Sequence, residues 1–577
     1  MVVAHTAHAE KKRLSELYWK MTFEHASDEY FDQVYFPHQP TAGTLAGYHQ
    51  YDTVLEDESV PAVNAEVVSL KKFERRFAEM QKKAVFDQTT RGDCALVLGN
   101  IRSRLLTLET IRPWEKNPDI YSSIAANGAF TLMERKFASP DDRLRSLVAR
   151  ERRMPALLDE ARLNLKNPPH IYTEIAIEQL PGIIQFFEHD VPLAFADAQD
   201  PALKEEFAHT NAQVIAALNS YLGWLKSDLL PNSNGDYRIG ADTFAKKLEY
   251  DEMVDTPLDK LLEVGWANLR KNQEHFNQVA KELEPQKDAR AVLEELGENH
   301  PAPDQLIPAF RGTFDSLIDF IHSHHIVTIP SEVRPIVEET PPFMRATTFA
   351  SMDTPGPFET HATEAYFNTT LPDPAMTPAQ VDDYMHSFNV GTVISTAVHE
   401  AYPGHYVQFL WVPQAPSRVR KLIGANSNAE GWAHYCEQMM LDEGYGQPGQ
   451  GAKDEREAKF LRLGQLQDAL LRNARFIVGI EMHTGKMTFD QAVEFFQKEG
   501  YQSRETALVE TKRGTSDPTY LYYTLGKLEI MKLREDLKQK QGAAFSLEEF
   551  HNNFLRQGFP PIKIVREALL GDESPTL

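Results

Sequence analysis

The chain has 577 residues, 42% hydrophobic and 25% charged, with a formal net charge of −24. No run approaches the ~18 consecutive apolar residues that cross a bilayer, and so acidic a chain lacks the basic face that nucleic acid or an anionic membrane requires. Cys94 and Cys436 are the only cysteines, which excludes a disulfide framework and a CxxC pair.

The start, "MVVAHTAHAEKKRLSE", has no apolar core of signal-peptide length, so the expectation is a cytoplasmic protein. The alternative is an exported one, with "AHA" before Glu10 as the remnant of a cleaved leader. Helical periodicity follows. "LSELYWKMTFEHASDEYFDQVYF", "VVSLKKFERRFAEMQKKAVFD" and "LLEVGWANLRKNQEHFNQVAKELE" repeat apolar residues every three or four positions. Prolines punctuate them at "KNPPHIY", "NHPAPDQLIP" and "TIPSEVRP". "HSHH", His322 to His325, reads as a helix end, where cations suit the dipole. Near residue 326 the texture changes to proline, threonine and aromatics, and "EAYFNTTL" is the best strand. Helices resume in "DDYMHSFNVGTVISTAVHEAY" and "NAEGWAHYCEQMMLDEG". The expected fold is mainly α, a large bilobed helical body with a small β segment lining the cleft. An N-terminal helical lobe would span 1–325 and a catalytic lobe with the metal site 326–577, with one continuous bilobed domain as the alternative.

The chemistry concentrates in "HEAYPGH", residues 399 to 405. His399 and His405 are natural zinc ligands, and Glu400 could face a metal-activated water as general base. Their spacing of six places the histidines about 120° apart on an ideal helix. They converge only if the helix breaks between them, and Pro403-Gly404 supplies the break. The competing reading is a helix that ends at Pro-Gly and carries two incidental histidines.

Downstream, "NAEGWAHYCEQ" puts Glu430, His434 and Glu437 at i, i+4 and i+7 on one face. Glu430 would complete a His₂Glu set, with His434 or Glu437 orienting a ligand or the substrate. Ser427 to Glu430 also fits a capping box, in which the glutamate only closes a helix end.

"HEAYPGH", "AEGWAHYCE", "ETKRGTSDPTYLYYTLGKLEIMKLRED" and the early "FPHQPTAGTLAGYHQYDTVLEDES" together resemble the bacterial domain-of-unknown-function 885 family, over nearly the whole chain. That family is regarded as zincin-like, similar to thimet oligopeptidase and angiotensin-converting-enzyme peptidases, which use HExxH and a downstream glutamate. The resemblance implies one zinc ion per chain on His399, His405 and Glu430, with Glu400 as base. Tyr523, three residues before Gly526, matches the family's Tyr-x-x-Gly spacing and would be the oxyanion donor; a buried core tyrosine is the alternative. Arg513 could clamp a substrate carboxylate or form a plain salt bridge. "EAYFNTTL" would be an edge strand beside the metal, and its Asn368 could hold substrate backbone. The expected activity is a gluzincin-like zinc metallopeptidase acting on short peptides or chain ends. The alternatives are a metal-dependent amidohydrolase or esterase on a non-peptide substrate, and a non-catalytic helical binding protein.

Overall fold

The computed structural model describes residues 2–345 and 348–577, with side chains from residue 10 onward. The fold is mainly α, with one three-stranded sheet and one two-residue strand pair among the described residues. No helix among them is long and apolar enough to cross a membrane. The chain forms two compact units: Met1–Asp236 with Pro355–Thr363 and Ala415–Ile423, and Tyr237–Thr354 with Glu364–Gln414 and Gly424–Leu577.

The first unit is helical. Its helix Val60–Lys83 starts where Ser59 accepts a hydrogen bond from the Ala62 amide. Val63, Glu66, Leu70, Phe73, Phe77 and Met80 are buried along one stripe of three- and four-residue steps. Each such apolar side chain contributes about 1.5–3 kcal/mol on burial. Glu66 is tolerated on the stripe because Arg104 meets it with two hydrogen bonds, at 2.7 and 2.9 Å. The short segment Ala415–Ile423 is held in this unit by the buried pair Arg420 Nε–Asp93 Oδ1 at 2.7 Å.

The second unit carries every residue of the candidate site. Its helices used below are α1 (Leu258–Leu283), α2 (Ala289–Gly297), α3 (Leu306–Ser323), α4 (Pro378–His386), α5 (Val390–Glu400), α6 (His405–Trp411), α7 (Asn426–Asp442), α8 (Glu455–His483), α9 (Arg504–Ser516) and α10 (Tyr522–Gln541). The strands are β1 (Ile336–Glu339), β2 (Ala350–Asp353) and β3 (Tyr366–Thr369). Leu269 and Phe276 of α1 share a core with Phe476, Ile477 and Ile480 of α8. The "HSHH" run closes α3: His322 lies in the last turn and the His324 ring stacks on Phe320 at 3.9 Å.

"EAYFNTTL" forms β3, but not as an edge. The sheet order is β1-β3-β2, with β1 parallel and β2 antiparallel to β3. The expected edge strand is therefore the centre of the sheet, and its backbone is paired on both sides. The physical reason is apolar: Phe367 inserts against Phe310 and Phe314 of α3, which draws the strand inward. Asn368 is 2% exposed and lies between Glu338 and Ser351.

Candidate metal centre

Asn389 starts α5 by accepting hydrogen bonds from the amides of Gly391 and Thr392, at 3.0 and 3.1 Å. His399 and Glu400 occupy its last turn. The helix then stops. Tyr402-Pro403 is a cis peptide, and the Gly404 amide donates back to the Val398 carbonyl at 3.0 Å. Only glycine fits this reversal: a Cβ on Gly404 would lie 1.8 Å from the His399 carbonyl oxygen. The turn is fastened from outside by Trp432, whose Nε1 donates to the Pro403 carbonyl at 3.0 Å. α6 restarts at His405, and the two imidazoles face each other with centroids 4.8 Å apart at 88°.

Glu430 reaches both rings. Its Oε2 lies 3.3 Å from His399 Nε2 and 3.3 Å from His405 Nε2. The capping box does not form. Ala425 is the N-cap of α7 without a side-chain bond, and the Asn426 and Ser427 amides donate to Glu252 at 3.2 and 2.9 Å. Glu252 thus satisfies the orphan donors of the helix start, and Glu430 is free to face the histidines. Two ligands held about 2.0–2.1 Å from a tetrahedral ion stand roughly 3.3 Å apart. Both Glu430–histidine separations meet that spacing, and two imidazoles with one carboxylate are a donor set zinc accepts. His399, His405 and Glu430 therefore form a group able to hold a metal ion.

A second layer fixes this triangle. His399 Nδ1 donates to Glu437 Oε1 at 2.7 Å, which directs the Nε2 lone pair toward the centre. Glu437 also accepts from His434 Nδ1 at 3.0 Å and Arg472 Nη2 at 3.2 Å. Burial raises the Glu437 carboxyl, but Arg472 and His434 outweigh it and hold it well below the usual range. Glu430 behaves alike: burial raises it, and His405 and His399 together bring it well below the usual range. Burial lowers His399, and its bonds to Glu430 and Glu437 reverse this, lifting it to about 9. Without an ion, a proton on His399 offsets part of the negative charge of Glu430 and Glu437. His434 is fully buried and held down at about 3, chiefly by burial and then by Lys527. Burial raises Glu400, opposed by His399 and His405, and that favours proton uptake.

Tyr523 comes from α10, which packs on α7 through two glycines. A Cβ on Gly526 would lie 1.8 Å from the Ser427 carbonyl oxygen and one on Gly431 would lie 2.6 Å from Gly526 Cα. Only this close approach sets Tyr523 beside the histidines, its ring stacked on His399 at 6.2 Å. Arg513 Nη2 donates to Tyr523 Oη at 3.0 Å, and also lies 3.4 Å from Tyr522 Oη and from Asp517 Oδ2. Tyr523 accepts that bond and keeps its own proton to donate elsewhere. Arg475 stands over the ring face at 4.7 Å and is itself clamped by Glu510.

The structure thus brings His399, His405, Glu430, Glu400, Tyr523, His434, Glu437 and Arg513 into one region of one unit. Asn368 stands apart from these contacts, on the central strand. Its Nδ2 donates to Ser351 Oγ at 3.4 Å and its buried Oδ1 has no hydrogen-bond partner. Sequence reasoning missed Arg472, Arg475, Glu252 and Glu510. Two arginines amid the apolar residues of "LLRNARFIVG" are the signal that could have found the first pair.

Among families, the model described as "Bacterial protein of unknown function (DUF885)" matches residues 40–569. Among curated proteins, none matches. A solved structure of "a putative lipoprotein of unknown function from Shewanella oneidensis" is similar, with 27% identity, TM-score 0.75, and coverage of 95% of this chain and 99% of that one. "The putative lipoprotein from Colwellia psychrerythraea" shares the fold at 17% identity and TM-score 0.72, covering 96% of this chain and 99% of that one. An M32 carboxypeptidase from Deinococcus radiodurans R1 aligns at 12% identity over 89% of this chain and 94% of that one; its TM-score of 0.29 is too low to bear on activity. The description of the Shewanella oneidensis chain as a "putative lipoprotein" overturns the expected cytoplasmic location. That expectation rested on the composition of sixteen residues, which does not fix a compartment.

Proposed function

Because the chain belongs to the DUF885 family of bacterial proteins, whose description assigns no activity, we propose from the site itself a zinc-dependent hydrolase that cleaves peptide bonds of short peptides or chain ends. The observation that carries this reading is the pair of 3.3 Å separations from Glu430 to His399 and His405, with a base one residue from the first histidine. In this reading the protein is exported or membrane-anchored, which the description of a similar chain as a "putative lipoprotein" supports.

His399, His405 and Glu430 would hold one zinc ion, which when bound acts as a Lewis acid and makes a water nucleophilic near neutral pH. Glu400 takes the proton of the attacking water and returns it to the leaving nitrogen. Its burial favours the protonated form, so the uptake half of that shuttle is supported. Tyr523 donates its free O–H to the negative charge that develops on the carbonyl oxygen. Arg513 holds that hydroxyl in place through its 3.0 Å bond. Glu437 fixes the ring and tautomer of His399. With β3 paired on both sides, an extended substrate would add to β2, the antiparallel edge of the sheet.

The test combines metal analysis with a peptide-library digest read by mass spectrometry, on the wild type and Glu400→Gln. The expected result is one zinc per chain in both, chelator-sensitive cleavage in the wild type and none in the variant. Zinc-free protein, or unchanged turnover in Glu400→Gln, sinks the proposal.

A further inference from the structure

A second cluster of metal-ligating side chains lies at the other end of α5. Glu298 and His300 directly follow α2, and Asp382 and His386 sit one turn apart at the end of α4. His386 Nε2 is 3.5 Å from Glu298 Oε1 and 3.7 Å from Asp382 Oδ2. His300 Nε2 is 3.9 Å from Asp382 Oδ1. One ligand atom from each of His300, Asp382 and His386 falls within 4.8 Å of the others.

Three features separate this cluster from incidental surface ion pairs. His300 Nδ1 faces the Pro301 carbonyl at 2.8 Å, and a carbonyl can only accept, so the proton of the neutral ring is on Nδ1. Nε2 then carries the free lone pair on the side of Asp382, the arrangement seen in metal-ligating histidines. His386 Nε2 is buried and has no hydrogen-bond partner. The backbone is also pre-set: Asn389 Nδ2 donates to the His386 carbonyl at 3.2 Å and the Val390 amide to Asn299 at 2.9 Å. The main chain at His386 and next to His300 is thus tied to the start of α5 without help from the carboxylates. Those carboxylates, 61% exposed at Asp382 and 70% at Glu298, would add little as ion pairs alone.

We propose that His300, His386, Asp382 and Glu298 form a second metal site, distinct from the His399–His405–Glu430 centre, that takes one divalent transition-metal ion. Two imidazoles and two carboxylates suit the Zn²⁺, Co²⁺ and Ni²⁺ class over Ca²⁺ or Mg²⁺, which prefer oxygen alone. The single ion pairs span 3.5–3.9 Å and the His300–Asp382–His386 group up to 4.8 Å, wider than the roughly 3.3 Å of a tetrahedral zinc site, so binding requires rotation of these side chains and of the exposed Glu298 toward the ion. Four protein ligands leave no open position, so the ion clamps the α2–α4 corner to the N-terminus of α5 and does no chemistry.

The test is a Co²⁺ titration of the metal-free full-length protein, followed by visible absorption and by bound-metal stoichiometry. His386→Ala is expected to bind one equivalent fewer than the wild type. Asp382→Asn, at an exposed position that does not threaten folding, is expected to weaken that same equivalent at least tenfold. Hydrolysis is not the readout, so the result stands apart from the first centre. Equal stoichiometry and affinity in wild type, His386→Ala and Asp382→Asn overturn the proposal, as does binding of the extra equivalent only at millimolar Co²⁺.

Discussion

Replacing Glu437 by glutamine separates the two tasks of the layer behind the candidate metal centre. Glu437 is fully buried and joins three donors: His399 at 2.7 Å, His434 at 3.0 Å and Arg472 at 3.2 Å. Glutamine keeps the shape but offers one acceptor oxygen and one N–H₂ group. If the oxygen faces His399, the amide nitrogen meets the His434 N–H, and donor opposes donor. Arg472 also loses its counter-charge and retains only Asp468, at 3.7 Å. Breaking one side of a buried ion pair costs about 3–5 kcal/mol. The surviving Asp468 contact places this case near the low end, about 3 kcal/mol. Loss of a group that orients a metal ligand lowers metal affinity about 10–100-fold, or roughly 1.4–2.7 kcal/mol. Urea unfolding reads the first quantity, and zinc competition against a chromophoric chelator reads the second. The double variant Glu437→Gln/Arg472→Met should recover part of the stability, because the guanidinium is no longer left short of a counter-charge although Asp468 loses its partner, but none of the zinc affinity. Wild-type zinc affinity in Glu437→Gln would refute the claim that His399 is oriented by this carboxylate.

Tyr523→Phe should retain zinc and lower kcat about 10²–10³-fold with KM little changed, as steady-state kinetics would show. Arg513→Met should give a smaller kcat loss in the same direction, and an equal or larger KM effect would return Arg513 to the substrate-clamp role. Gly526→Ala must displace the Ser427 carbonyl, 1.8 Å from the new Cβ, at a cost of about 1–3 kcal/mol read by thermal melting; activity should fall further than zinc content. In the first unit, Glu151 accepts from Thr210, and burial lifts its carboxyl from 4.5 to about 8. The folded state keeps that proton while the unfolded chain releases it, so stability is full below about 4.5 and falls as pH rises toward about 8. Glu151→Gln should remove this slope and stabilise by roughly 3 kcal/mol at pH 7, measured by urea unfolding across pH.

What the sequence shows and hides follows from how far each constraint reaches. The stripe Val63, Leu70, Phe77 is legible because helical period is local, and Pro403-Gly404 is legible because chain breakers act on their own turn. The acidic face of α7 is legible for the same reason. The capping-box reading of Ser427–Glu430 failed because the true cap, Glu252, lies 174 residues before Asn426. Whether a strand is central or an edge depends on partners elsewhere in the chain, and "EAYFNTTL" carries no mark of β1 or β2. Arg472 and Arg475 were hidden because charge on a helix reads as exposure unless a buried carboxylate is known to wait for it. The second cluster needed only half such knowledge: Asp382 and His386 stand at i, i+4, but His300 is brought to them by the fold.

The turn itself joins the two scales. Pro403 and Gly404 can end a helix anywhere, and alone they leave the direction of His405 open. Trp432 removes that freedom by holding the Pro403 carbonyl from α7, the helix that also presents Glu430 two residues earlier. One helix thus supplies both the carboxylate and the anchor that aims the second histidine at it. Tryptophan in "EGWA" is therefore part of the geometry of the candidate metal centre. Trp432→Phe keeps the ring in its stack on Phe554 but removes the N–H. It should lower zinc affinity while sparing most of the stability.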